Sequence, residues 1–229
     1  MKARQRYRFL VFIVLVAAGI YFASCAGEKT QAKITGYEIT DFDGSPALKV
    51  NIETNRYPIT LELLGSDRRT VDLKVIESEK DIPAIVYLGL SGENVKGTYY
   101  LELKVGTTTL DEKEIVLQGP KLQLVDKNIQ VKYHELLGYS FEKVSLTLKN
   151  VGDCPAYVYW IELTVDNGNP LTSVANEYKV PVLPGETKTY TASFSLLTVK
   201  EKGQHNLKIR VADFGKHVIG EFTTTVNIS

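Results

Sequence analysis

From Ala32 onward the chain alternates apolar and polar residues in short segments separated by turn residues, and it holds no long stretch with the 3.6-residue period of a helix. A period of two puts every other side chain on one face, so each segment specifies a strand with one buried side. Leu48, Val50 and Ile52 form one such set, Ile59, Leu61 and Leu63 a second, Val71, Leu73 and Val75 a third, and Tyr99, Leu101, Leu103 and Val105 a fourth. Further strands are expected over 34–42, 82–88 and 110–117. The same pattern resumes after Gln118-Gly119-Pro120, where glycine followed by proline punctuates the chain without adding length. The later sets are Leu122 and Leu124, Ile129 and Val131, Val144 with Leu146 and Leu148, Tyr190 to Leu196, Leu207 to Val211, and Phe222 to Ile228.

About seven strands on each side of residue 119 is the number expected of an immunoglobulin-like sandwich. The expected fold is therefore all-β, two tandem immunoglobulin-like β-sandwiches over 31–118 and 120–229, after an N-terminal hydrophobic helix within 1–27. A linker this short and stiffened by proline predicts two units held at a limited range of angles. Asp43-Gly44, Asp166-Asn167-Gly168 and Pro184-Gly185 supply turns. Asp41 and Asp43 before Gly44 begin like a calcium loop, but the acidic residue that would close such a loop is missing, and a hairpin turn is the better reading.

The hydrophobic helix is expected from Phe9 to Phe22, an unbroken apolar run that follows Lys2, Arg4, Arg6 and Arg8 and leads into Ala23-Ser24-Cys25. A basic head, an apolar run and small residues form the pattern of an export signal. At about 1.5 Å per residue the run alone is shorter than the roughly 30 Å hydrocarbon core, and continued through Gly27 it nearly reaches it. Length thus leaves a cleaved signal and a retained anchor both open. Phe22-Ala23-Ser24-Cys25 resembles the lipobox of prokaryotic lipoproteins, departing from it at Phe22; the resemblance implies Cys25 as a lipid-attachment site. With basic residues on the near side only, the large C-terminal part is expected outside the cytoplasm at the cell membrane.

The chain carries no net charge overall. Its 27 Lys and Arg, less the four in the leader, face 27 Asp and Glu, leaving the exported part slightly acidic. That excludes a basic nucleic-acid footprint. With two cysteines, one of them in the leader, the exported part is not disulfide-stapled, and Cys154 is expected as a small semi-buried residue.

Val144 to Gly152, with Asn150 before Gly152, then Ala156, then Val182 to Thr187 around Pro184-Gly185, and then Gly203, together resemble the cell-adhesion-related (CARDB-type) immunoglobulin-like domain of prokaryotic surface proteins. The resemblance covers about Lys121 to Ser229, rests on turn chemistry, and implies a surface domain that spaces or binds, without catalytic residues. Physically, Asn150 and Gly152 end a strand at a tight turn.

His134, His205 and His217 are far apart without ligand spacing, so no metal site is expected, and neither a nucleophile elbow nor a phosphate loop occurs. No enzyme activity and no cofactor are expected. Along 156–165 the stronger apolar alternation is Tyr157, Tyr159, Ile161, Leu163 and Val165, which puts Trp160 on the opposite face with Val158 and Glu162. Those three are the candidate partner-binding residues, since tryptophan is enriched at interface anchors. The expected function is a membrane-tethered adhesion or scaffold module binding another surface protein or itself. An accessory subunit of a surface filament or motor, resembling archaeal stator proteins that join one membrane helix to a β-sandwich, is the alternative, and binding of a glycan or small ligand for uptake is a third.

Overall fold

The computed structural model describes residues 31–89, 95–195 and 197–229. The apolar run at 9–22, the expected helix and Cys25 lie outside the described residues. Within them the chain is all-β, with strands β1 (Ala32–Phe42), β2 (Ser45–Thr54), β3 (Ile59–Leu64), β4 (Thr70–Ile76), β5 (Ala84–Tyr87), β6 (Gly97–Val105) and β7 (Thr108–Leu117) ahead of Gly119. After it come β8 (Leu122–His134), β9 (Gly138–Asn150), β10 (Trp160–Val165), β11 (Leu171–Val174), β12 (Thr187–Ser193), β13 (Thr198–Val199), β14 (Gly203–Ala212) and β15 (Val218–Ile228).

The first seven strands make two antiparallel sheets, ordered β1-β2-β5 and β4-β3-β6-β7. Their inward residues, Leu48 and Val50 from one sheet and Leu61, Leu63, Leu101 and Leu103 from the other, belong to one fully buried cluster. The later strands repeat the plan. β8 and the successive pair β12 and β13 flank β9, and the order β11-β10-β14-β15 forms the facing sheet. Leu146, Leu148, Ile161, Leu163, Leu207 and Ile209 fill the second core. The turns carry the expected backbone. Asp43 and Gly44 both take positive φ (53° and 76°) in a two-residue hairpin that pairs Phe42 with Ser45. Asp166 and Asn167 do so too (47° and 60°), in a tight turn closed by the Gly168 N–H donating to the Val165 carbonyl, which opens the loop to β11.

One strand departs from expectation. Val71, Leu73 and Val75 were expected to form the buried face of their strand, yet they are 44%, 49% and 42% exposed. Register explains the reversal. Leu73 lies directly across from Glu62 and Val75 from Thr60 on β3, and residues paired across an antiparallel ladder share a face. Leu61 and Leu63 claim the inward face of β3, so Glu62, Thr60 and their β4 partners point out.

The two cores meet at a built junction. Asp153 accepts hydrogen bonds from the backbone N–H groups of Gln118 and Gly119 at 2.8 and 2.9 Å. Cys154, expected to be semi-buried, is fully buried, and it packs into the core of β1–β7 although it follows β9 in the chain. Burial, first, and the neighbouring Asp153 push its thiol well above the usual range, so it is an inert packing group. From the same region the Tyr157 hydroxyl donates to the Asp41 carboxylate at the end of β1.

Candidate partner-binding face

Trp160 opens β10 and points away from the core, while Ile161, Leu163 and Val165 point into it. It lies across from Ala212 on β14 on one side and Val174 on β11 on the other. Glu162 shares its face and pairs with Arg210 directly across the ladder at 3.4 Å. Arg210 continues to Glu221 at 3.1 Å, and Glu221 to Lys208 at 3.0 Å, so the outer face of this sheet is a ladder of alternating charge. Such exposed pairs orient side chains more than they stabilise the fold.

Val158 does not share that face. It is fully buried in the second core, and Tyr157 and Tyr159, expected to point inward, are only partly buried. The alternation breaks because the Tyr159 N–H donates to the Ala212 carbonyl while Trp160 also sits opposite Ala212. Two residues against one is a β-bulge, which turns Tyr159 and Trp160 to the same side and returns Val158 to the core.

The bulge gathers an aromatic cluster from three distant segments. The Tyr159 ring contacts Trp160 edge-on at 4.8 Å between centroids, Tyr178 at 4.7 Å and Phe214 at 4.9 Å. Phe214 sits in the turn between β14 and β15 and is 73% exposed. Beside Trp160 lies a cavity of about 350 Å³ bordered by Thr172, Arg210 and Lys216, with the Lys216 ammonium 6.0 Å from the indole centroid. Ala212, with only a methyl group across from the indole, leaves that space. The Trp160 indole N–H is shielded from solvent and has no hydrogen-bond partner among the described residues. On the far side of the cluster a second cavity, about 570 Å³, is bordered by Tyr157, Tyr178, Lys179 and Phe214, and by Asp43 and Gly44 of the β1–β2 turn.

Tyr159, Tyr178 and Phe214 were not anticipated as site residues. The run Tyr157 to Trp160 showed concentrated aromatics, and an aromatic between Asp213 and Gly215 in a turn was a signal for Phe214. Their convergence depends on the bulge.

The three histidines stand apart, each beside one carboxylate: His134 with Glu142 at 3.1 Å, His205 with Asp166 at 2.6 Å and His217 with Asp213 at 3.2 Å. Among the described residues no three His, Cys, Asp or Glu side chains converge on a metal-sized site. The hydrogen bond that the His205 ring donates to the Asp166 carboxylate raises the pKa of His205 and lowers that of Asp166.

No family model matches the chain. No curated protein matches it either. Among solved structures, a two-domain fibronectin type III segment of chicken tenascin aligns at 12% identity, covering 85% of this chain and 98% of that one, with a TM-score of 0.32. A BSP domain of a biofilm-associated protein aligns at 14% identity and TM-score 0.28, covering 86% of this chain, which spans 30% of that one. An exo-chitosanase of Amycolatopsis orientalis aligns at 16% identity and TM-score 0.27, covering 83% of this chain and 26% of that one. Likenesses this distant transfer no activity or partner.

Proposed function

We propose that this protein is an extracytoplasmic adhesion or scaffold module, tethered to the membrane through its N-terminal segment and acting by protein–protein contact through the Trp160 face. In this reading both halves are immunoglobulin-like sandwiches, the second of the cell-adhesion-related type that its turn residues resemble, and Cys25 carries the lipid. The observation that carries it is the partly exposed cluster of Tyr159, Trp160, Tyr178 and Phe214 beside a charged ladder. Large aromatics flanked by arginine are the composition of interface anchors, and a turn phenylalanine 73% in water gains by being covered. Glu162 serves at the rim, orienting Arg210; Val158 acts from the core, by supporting the bulge.

A photo-crosslinking residue at Phe214 of the full chain in its native membrane should give one discrete protein adduct that disappears when Trp160→Ala is added. An adduct unaffected by Trp160→Ala removes this face as the contact. A glycan reading draws on the 570 Å³ aromatic-lined cavity between Asp43 and Lys179. Quenching of Trp160 fluorescence by polysaccharide, without a protein adduct, would put that reading first.

A further inference from the structure

We propose that β4 is a self-association edge, pairing antiparallel with β4 of a second copy about Leu73, independently of the Trp160 face. β4 ends its sheet, hydrogen-bonding to β3 on one side and to no strand on the other among the described residues. Natural edge strands are usually shortened, bulged or charged on the exposed face. β4 carries one bulge near its start, where the register with β3 skips Val71, and beyond it the strand stays regular; over its seven residues it exposes Val71, Leu73 and Val75.

Its sequence selects the occupant. Antiparallel pairing centred on Leu73 sets Leu73 against Leu73, Val71 against Val75, and Asp72 against Lys74 at both symmetry-related positions. Opposite charges directly across a ladder stabilise it, and like charges destabilise it. β7, at the other end of the same sheet, shows the contrast: self-pairing about Lys113 would set Glu112 against Glu114. At its inner side β4 is held by the Asp72 carboxylate, which accepts the Tyr87 N–H of β5 at 2.8 Å, so the edge is presented in a fixed position.

The pairing has a direction. β1 ends at the junction, where Asp41 meets Tyr157, and therefore starts at the far end of its unit. Leu110 and Asp111 near the start of β7 border the same cavity as Ala32, so the strands run along the line from that end to the junction. Two copies joined by antiparallel β4 strands consequently point their residue-32 ends in opposite directions. That is a contact between two facing surfaces, and this last step rests on the membrane-tether reading.

The test uses full-length Leu73→Cys, which places each new thiol beside its own symmetry mate, against Val116→Cys on β7, where the replaced side chain is 65% exposed. Leu73→Cys in detergent should form a disulfide dimer on mild oxidation while Val116→Cys stays monomeric. Equal dimer from both, as association through the leader would give, or none from Leu73→Cys, overturns the pairing. Vesicles carrying the native chain should cluster and lose clustering with Leu73→Lys, an exposed change that leaves the melting temperature in place. Vesicles that stay apart while Leu73→Cys still dimerises overturn the facing arrangement and leave the pairing standing. The Trp160 crosslink is unaffected by either result.

Discussion

The Tyr157 hydroxyl donates to the Asp41 carboxylate across 116 residues of sequence, joining the segment before β10 to the end of β1. Burial, and then this hydrogen bond, keep the phenol protonated throughout the ordinary pH range. Together with Asp153 at the linker and Cys154 in the neighbouring core, it makes the junction a packed contact, where the backbone alone would have left a hinge.

Removing the hydroxyl should therefore loosen the relation between the halves and leave each core intact. Hydrogen bonds to a charged partner contribute about 1.5–3 kcal/mol, so Tyr157→Phe is expected to lower the stability of the junction by that order. Small-angle scattering should show a broader distribution of maximum dimensions. Asp41→Asn added to Tyr157→Phe should cost little more, because both act on one contact.

Asn150 is fully buried, and its side-chain amide donates to the carbonyls of Cys154 and Val182 at 2.7 and 2.8 Å while its oxygen accepts the Gly152 N–H at 2.9 Å. Each stranded buried group costs about 1–3 kcal/mol. Asn150→Ala should destabilise by at least about 2 kcal/mol in chemical denaturation. Asn150→Asp should be no better, since a carboxylate faces two carbonyls with nothing to donate.

Gly152 is required for a different reason. A Cβ there would stand 2.3 Å from the Gly119 carbonyl oxygen and 2.6 Å from the Lys121 nitrogen, both backbone atoms unable to swing aside. Gly152→Ala should force the linker away from the turn and cost on the order of 1–3 kcal/mol. It should also expose Cys154, which a thiol reagent would then label faster than in the native chain.

The His205 and Asp166 pair sets a pH dependence. His205 is 7% exposed, and its other ring nitrogen lies 3.0 Å from the Glu201 carbonyl. Its folded pKa is raised, chiefly by the Asp166 hydrogen bond. Its contribution is thus full below the ordinary histidine value of about 6.5 and is lost as pH rises through the folded value. Asp166 is lowered, first by His205 and then by the Asn206 N–H, so its contribution is present above the ordinary carboxylate value of about 3.9 and is lost as pH falls through the folded value. Thermal melting should show the pair strongest between about pH 4 and 6.5, and His205→Gln should flatten the decline on the alkaline side.

Much of the strand layout was legible because a period of two survives in any sheet with one wet face. Leu48 to Ile52, Leu61 with Leu63, Val144 to Leu148 and Leu207 to Val211 all occupy the cores their alternation implied. The turns at Asp43-Gly44 and Asp166-Asn167 were equally legible, since positive φ is a local demand met by local residue types. The outward placement of Trp160 followed from Ile161 and Leu163 in the same way.

Alternation states which side chains share a face, and pairing decides which face turns inward. Val71, Leu73 and Val75 carry the same signal as a buried set and point to water because Glu62 and Thr60 lie across from them. Val158 went to the core, and Tyr159 joined Trp160, because one bulge against Ala212 shifts the phase by a residue. Cys154 entered the core that precedes it in the chain, where no local pattern could place it. By itself the sequence determined the strands, their turns and the set of side chains on each face, all properties of neighbouring residues. Tertiary structure decided the inward face of β4, the aromatic cluster and the packed junction, because each arises where segments distant in the chain compete for the same buried space.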